Sequence, residues 1–197
     1  MNKIVVFASG SGSNFQAIID AIENGDLDAH IAGLITNKKR IQAIRRAQKA
    51  GIPVRVIKPG DYSGPVEFSA ALLRQLRLWE PSLIILAGYM VKIPEEVVSE
   101  YRNRIINIHP SLLPKYGGRG YFGINVHKAV LEAGDDVSGC SVHLVNEKYD
   151  QGPVIAQRKV LVQTGDTPDS LAERVLAEEH KLLPEVIGQL LSATSNS

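Results

Sequence analysis

Cysteine is almost missing from the 197-residue sequence, which contains only Cys140. A single thiol excludes an internal disulfide and any metal site built from several thiolates. No activating base lies near Cys140 in the sequence, so we interpret it as a small buried hydrophobic residue rather than a nucleophile. The lack of paired cysteines favours a reducing compartment, and we expect a cytoplasmic protein.

An excess of charge of either sign is also missing, because 22 Lys and Arg residues balance 21 Asp and Glu residues and leave a formal charge of +1. This balance does not provide the excess of positive charge that binding to nucleic acid or to an anionic membrane requires. The apolar run near the N-terminus is broken at Gly10, so it is too short to span a membrane, and it lacks the pattern of a cleavable signal. Small molecules are therefore the expected partners, and neither nucleic acid nor a membrane is expected.

The chain does contain a regular alternation of strand-like apolar runs and amphipathic helical patterns. Continuous apolar runs are typical of parallel strands covered on both faces. Beyond residue 139, two runs of alternating hydrophobicity indicate antiparallel strands at a sheet edge. We predict a single-domain, Rossmann-like α/β fold, with a mostly parallel twisted sheet, helices on both faces and an antiparallel edge near the C-terminus. Residues 1–190 are expected to form this domain, and residues 191–197 a disordered tail.

A glycine-rich loop, Ser9–Asn14, separates the first predicted strand from the first predicted helix. It places free backbone N–H groups at the positive end of a helix dipole, an arrangement that suits a phosphate. The glycine spacing matches neither the dinucleotide-binding fingerprint nor the P-loop, so a single phosphate is favoured over a dinucleotide. A tight turn followed by a capped helix is the alternative that this loop alone leaves open.

Two polar side chains, Asn107 and His109, interrupt an apolar strand pattern that ends at Pro110. Because they are two residues apart, they point to the same face of the strand. A capping asparagine and a packed histidine are the alternative to a functional pair. In open parallel sheets, ligands bind beyond the carboxyl ends of the strands, so we expect this pair, the glycine loop and the apolar loop Gly88–Ile93 to converge on one crevice.

Five segments carry a more specific pattern: Ser9–Ile18, Leu86–Met90, Asn107–Pro114, Gly139–His143 and Asp150–Ile155. Together they resemble the phosphoribosylglycinamide formyltransferases, a folate-dependent family of purine synthesis. The segments follow the family's order, and the resemblance runs from about Lys3 to Leu190. It implies a catalytic domain that transfers a formyl group from 10-formyltetrahydrofolate, as co-substrate, to the amine of 5'-phosphoribosylglycinamide in de novo purine (IMP) synthesis, without a metal.

The resemblance also assigns roles to individual residues. Asn107 is expected to donate a hydrogen bond to the developing oxyanion and His109 to act as general acid. Asp150 would favour the charged imidazole or position a water. Glu179 is expected at the glycinamide end, with a solvated helix carboxylate as the alternative. The substrate phosphate is assigned to Gly12, Ser13 and Asn14. The folate is assigned to Met90, Val91, Lys92, Ile93, Asn107, Asn146, Glu147, Lys148, Tyr149 and Asp150.

Two features depart from the family pattern. Pro65 stands where many relatives have an arginine near the folate, and the glycine-rich segment 115–125 is longer than in the common bacterial pattern. Substrate contacts in that segment are therefore not carried over. Among the remaining histidines, His143 is interpreted as structural and His127 as a weaker candidate for the substrate site.

Three other functions are alternatives to formyl transfer to phosphoribosylglycinamide. Methionyl-tRNA formyltransferase and formyltetrahydrofolate hydrolase share the Asn, His and Asp arrangement but carry additional domains, for which we expect no room in 197 residues. A non-catalytic phosphate-ligand-binding module would need the glycine loop and the fold but none of the three polar residues together. A monomer or a homodimer is expected.

Overall fold

Seven strands form one mixed sheet in the structure, a computed structural model that describes residues 2–195. The strands are β1 (Lys3–Phe7), β2 (His30–Thr36), β3 (Val54–Val56), β4 (Leu83–Leu86), β5 (Ile105–His109), β6 (Val137–Leu144) and β7 (Val154–Leu161). Their spatial order is β3-β2-β1-β4-β5-β6-β7. Strands β1 to β5 are parallel, and β6 is antiparallel to both β5 and β7. The predicted sheet with its antiparallel edge is confirmed.

Helices cover both faces of this sheet. They are α1 (Ser13–Glu23), α2 (Gln42–Lys49), α3 (Pro65–Trp79), α4 (Glu95–Glu100), α5 (Ile124–Glu132) and α6 (Pro168–Ser195), with a 3-10 helix at Pro59–Asp61. Side chains of β1 alternate between two hydrophobic clusters: Ile4 and Val6 pack with α1 and α6, whereas Val5 and Phe7 pack with α3 and α4. Since both faces are buried, all four side chains are fully buried, which explains the continuous apolar run.

The C-terminal helix extends further than expected. Helix α6 continues to Ser195, and Leu191 is only 3% exposed within the larger hydrophobic cluster. The expected disorder of the tail 191–197 is therefore wrong for residues 191–195, and residues 196–197 lie outside the described residues. The physical reason is that Ile187 and Leu191 are four residues apart, so they share the buried face of the helix.

The strand order brings three loops to the same edge of the sheet. It reverses between β1 and β4, which is the position where a crevice opens in sheets of this kind. The loop after β1 is joined to the loop after β4 because the Ser9 N–H donates to the Gly88 carbonyl at 3.1 Å and the Met90 N–H donates to Ser9 Oγ at 2.9 Å.

Within residues 2–195, no helix combines the length and apolar character needed to cross a membrane.

Candidate active site

The end of β5 carries the polar pair Asn107 and His109, and the neighbouring antiparallel strand adds a third polar side chain. The register of β5 and β6 places His143 opposite Asn107 and Ser141 opposite His109. The Asn107 Nδ2 atom lies 3.1 Å from His143 Nε2. His143 Nδ1 lies 2.8 Å from the Leu144 carbonyl oxygen, which only accepts, so Nδ1 carries the hydrogen and Nε2 faces the Asn107 amide.

Asp150 joins this group from the turn between β6 and β7. Its Oδ1 atom lies 3.4 Å from Asn107 Nδ2, and its Oδ2 atom lies 3.7 Å from His109 Nδ1. Oδ2 also accepts a hydrogen bond from the Gly118 N–H at 2.9 Å. The turn requires a glycine at position 152, because a Cβ atom there would come within 1.7 Å of the Leu144 carbonyl oxygen. Asp150 therefore lies within contact distance of both other predicted catalytic residues, Asn107 and His109.

Burial and charge act in opposite directions on the ionisable groups of this cluster. Burial lowers the pKa of His109, although the Asp150 carboxylate and the Tyr116 carbonyl act to raise it. For Asp150 burial acts to raise the pKa, but His143, His109 and the Gly118 N–H outweigh it, and the pKa lies below its ordinary value. Asp150 is therefore ionised at neutral pH while the His109 imidazole is neutral. The Asp150 carboxylate favours the charged imidazole, as expected, but desolvation of the ring outweighs it and the net pKa of His109 is lowered.

A cavity of ≈ 300 Å³ opens beside these residues. Of the residues assigned to the folate, every one lines it except Glu147. Glu147 turns away and forms an ion pair with Arg102 at 3.1 Å. The glycine-rich segment contributes Gly118 to Gly123 to the lining, including the half-exposed Phe122. An apolar wall facing a small group of polar side chains is the usual construction of a small-molecule site.

The glycine loop contacts the loop after β4 through Ser9, but the predicted phosphate-binding residues Gly12, Ser13 and Asn14, at the start of α1, do not line this cavity. Gly12 caps the helix in the left-handed conformation, with φ 70°, and a Cβ atom there would lie 2.7 Å from Ala43 Cβ. No side chain caps the helix, so the first backbone N–H groups, including those of Ser13 and Asn14, keep no intrahelical partner. This geometry offers backbone donors and the positive end of the helix dipole to an anion.

Glu179 is buried against this loop rather than solvated, so the structure contradicts the alternative interpretation of a solvated helix carboxylate. It is 6% exposed, and its Oε2 atom accepts a hydrogen bond from Asn14 Nδ2 at 2.6 Å. The second polar atom of that amide, Asn14 Oδ1, is buried and has no hydrogen-bond partner among the residues that the structure describes. Burial raises the pKa of Glu179 to about 7, although the Asn14 amide acts in the opposite direction.

A stability prediction follows from this buried carboxyl group. Because its pKa in the folded state is raised, the contribution of Glu179 to stability is complete below the ordinary pKa of 4.5 and is lost as the pH rises through about 7. Glu179→Gln is therefore expected to raise the free energy of unfolding by about 3 kcal/mol near pH ~9 and to change it little near pH ~5. Urea unfolding at both pH values measures the difference.

The adjacent Glu178 provides the matched control. It pairs with Arg158 and Lys181, and these hydrogen bonds lower its pKa instead of raising it. Glu178→Gln should therefore give no stabilisation at high pH. A Glu179→Gln variant that is equally or less stable than the wild type near pH ~9 would contradict the assigned burial cost.

One histidine, His143, has a larger role in this geometry than the structural one expected from the sequence. His143, interpreted as structural, lines the cavity and contacts both Asn107 and Asp150. His127, the weaker candidate for the substrate site, does not line this cavity. It is 3% exposed, its Nδ1 atom has no hydrogen-bond partner among residues 2–195, and burial and the interaction with His109 lower its pKa. The signal that could have found His143 is its alternating position on a predicted strand, but the pairing of that strand with β5 and the register between them were unknown.

A larger cavity of ≈ 1190 Å³ lies between α1 and α6. Its lining includes Ser13 but not Asn107, His109 or Asp150. The predicted catalytic residues therefore make the smaller cavity the candidate site, whereas the predicted phosphate-binding residue Ser13 lines the larger one. Across residues 2–195, no group of three or more His, Cys, Asp or Glu side chains is arranged to hold a metal ion.

Known proteins are similar to this chain in both sequence and fold. The sequence model of the formyl transferase family matches residues 2–187. The chain is 41% identical over 191 residues to the phosphoribosylglycinamide formyltransferase of Bacillus subtilis (strain 168), covering 97% of this chain and 95% of the relative. It is 46% identical to the chloroplastic phosphoribosylglycinamide formyltransferase of Arabidopsis thaliana, covering 95% of this chain but only 65% of that relative.

The solved structures agree with these relatives. Glycinamide ribonucleotide transformylase 1 from Geobacillus kaustophilus superimposes with a TM-score of 0.90 at 41% identity, covering 97% of this chain and 99% of the other. Both the sequence match and the shared fold extend through the strand end and the turn that carry Asn107, His109 and Asp150. The chain therefore belongs to the formyl transferase family.

Proposed function

We propose that this chain transfers the formyl group of 10-formyltetrahydrofolate to the amine of 5'-phosphoribosylglycinamide, a step of de novo purine (IMP) synthesis. One observation carries the proposal: Asn107, His109 and Asp150 meet at one end of a largely apolar cavity in a chain whose relatives are named for this reaction. Residues 1–190 would form the catalytic domain. The co-substrate supplies the formyl group when it is bound.

Asn107 would stabilise the negative charge that develops on the formyl oxygen. Its amide has two N–H groups, of which one points to His143 at 3.1 Å and the other makes only a long contact of 3.4 Å with Asp150. The long contact is the weaker one, so that N–H group is the one available to a new acceptor. Donors held in advance at the position of a developing oxyanion are among the largest contributors to catalysis.

His109 and Asp150 would move the proton that the reaction requires. A bond forms between the amine nitrogen and the formyl carbon, the bond from that carbon to the folate nitrogen breaks, and one proton passes from the amine to the folate nitrogen. His109 is neutral at neutral pH, so it can accept the proton of the attacking amine and then deliver it to the leaving nitrogen. Asp150, 3.7 Å from His109 Nδ1, stabilises the imidazolium formed between these two events.

The substrates would occupy the two sides of this cluster. Backbone N–H groups at Gly12, Ser13 and Asn14 suit the phosphate of the ribonucleotide. Glu179, buried beside Asn14, offers a carboxylate to the glycinamide end. On the other side, Met90 is 50% exposed and Tyr149 is 47% exposed, so their apolar surface is available to the flat folate ring system.

Formyl transfer assayed with purified protein tests the proposal. The expected result is turnover that requires both 10-formyltetrahydrofolate and phosphoribosylglycinamide, measured as the absorbance change on formation of tetrahydrofolate. Formate release without the amine would instead indicate the hydrolase, and activity only with charged initiator tRNA would indicate the tRNA formyltransferase. If calorimetry shows that phosphoribosylglycinamide binds while the assay shows no turnover, the result would indicate a binding module.

We also propose a cytoplasmic location and a monomer or a homodimer. The single cysteine, fully buried Cys140, supports a compartment without disulfide formation. The relative from Arabidopsis is named chloroplastic. Light scattering after gel filtration measures the oligomeric state.

A further inference from the structure

The catalytic imidazole is held by the protein backbone on the side away from Asp150. His109 Nε2 lies 2.8 Å from the carbonyl oxygen of Tyr116. Because a carbonyl oxygen only accepts, this contact fixes the hydrogen on Nε2. Nδ1 is then the nitrogen that faces Asp150, at 3.7 Å, and it is the only ring nitrogen able to gain or lose a proton during turnover.

The Tyr116 carbonyl is in turn held by the tyrosine side chain. Tyr116 has a positive φ of 53°, which is uncommon for a residue with a side chain, so its conformation has to be supported by other contacts. The phenol donates a hydrogen bond to Asp135 Oδ2 at 2.8 Å. Asp135, in the turn that follows α5, also receives the Lys115 ammonium at 2.9 and 3.0 Å.

The same segment holds the other catalytic partner. Two residues after Tyr116, the Gly118 N–H donates to Asp150 Oδ2 at 2.9 Å. Gly117 lies between Tyr116 and Gly118. A Cβ atom on Gly117 would lie 2.6 Å from Leu113 Cδ2 and 3.3 Å from Asp150 Cβ, so the segment is packed closely against the site. A displacement of Tyr116 would therefore move the acceptor of His109 and the donor to Asp150 together.

We propose that Tyr116 and Asp135 are positioning residues, which act through the Tyr116 carbonyl to select the Nε2–H form of His109 and to aim its Nδ1 atom at Asp150. The role in turnover rests on the proposed formyl transfer. Neither side chain lines the cavity beside Asn107. Their effect is to hold His109 so that one particular nitrogen, Nδ1, takes up and delivers the proton beside the Asp150 carboxylate.

Two substitutions test the proposal. Tyr116→Phe removes the phenol oxygen but keeps the ring that packs on Tyr121 at 5.8 Å between centroids. Asp135→Asn keeps the shape of the acceptor and removes its charge. Each is expected to lower kcat roughly 10-fold while leaving KM for both substrates within about twofold. The double variant should be no slower than Tyr116→Phe alone, because both changes weaken the same hydrogen bond.

Nitrogen NMR of the His109 ring supplies a readout that a purely structural role would not move. In the wild type, Nε2 should carry the hydrogen and resist exchange with solvent, and in both variants the ring should become a mixture of the two tautomers. Tyr62→Phe and Asp136→Asn serve as matched controls, since neither residue lines the cavity or contacts His109. They should leave kcat and the ring signals unchanged.

Two outcomes would overturn the proposal: an unchanged kcat in both variants, or a lowered kcat with the His109 ring signals the same as in the wild type. The NMR experiment needs no substrate. If the wild type proved inactive in formyl transfer, tautomer selection by Tyr116 and Asp135 would still be measured, so the two proposals fail separately.

Discussion

Replacing Asp150 by asparagine is expected to lower kcat for formyl transfer by about 100- to 10,000-fold, the range typical of lost acid–base catalysis. The asparagine can still accept from the Gly118 N–H at 2.9 Å, so the turn between β6 and β7 should keep its position. What disappears is the negative charge beside His109 Nδ1. Burial would then act on His109 without that opposing charge, and the imidazolium needed between the two proton transfers would be destabilised.

Steady-state kinetics together with an NMR titration of His109 measure this effect. The pKa of His109, already lowered by burial, should fall further in Asp150→Asn, because the carboxylate that raises it is removed. Asp61→Asn, a change at an exposed aspartate in the 3-10 helix, is a control expected to behave as the wild type. A kcat within a few-fold of the wild type would show that the proton does not pass through the His109 and Asp150 pair.

Asn107→Ala is expected to lower kcat by about 100- to 1,000-fold, as the removal of one oxyanion donor does in other enzymes. The loss should appear equally in kcat and kcat/KM, because the interaction is made in the transition state and not with the bound ground state. Folding should be little affected, since Asn107 is only partly buried and its contacts are with the site residues His143 and Asp150.

The control for this change is Asn125→Ala, at an exposed position near the start of α5 and outside the cavity lining. It should retain full activity. Thermal unfolding of both variants separates a loss of catalysis from a loss of structure. Near-normal turnover of Asn107→Ala would remove this residue from the mechanism and leave the oxyanion to another donor.

His143 shows where reasoning from the sequence reaches its limit. The strand patterns of β5 and β6 are both visible in the sequence, but Asn107 and His143 are 36 residues apart, and their pairing depends on the register between two strands. A shift of one residue would turn His143 to the other face of the sheet. Only the tertiary structure therefore identifies His143 as the residue that orients the Asn107 amide.

Glu179 shows the same limit for electrostatics. Its position in a helix with other charged residues is compatible with a solvated carboxylate, and nothing local distinguishes it from Glu178. Packing of α6 against α1 buries Glu179 beside Asn14, which raises its pKa, whereas Glu178 remains paired with two cations and its pKa is lowered. Desolvation depends on neighbours that are 165 residues away along the chain.

The sequence by itself determined the alternation of strands and helices, the glycine loop at the start of α1 and the polar pair at the end of β5. These features depend on periodicity and on backbone preferences of neighbouring residues, which are local properties. The tertiary structure alone decided which side chains meet: His143 with Asn107, the Tyr116 carbonyl with His109, and Asp135 with the Tyr116 phenol. Contact, register and burial arise from long-range packing, so the protonation and orientation of the proposed catalytic groups could not be derived from the order of residues.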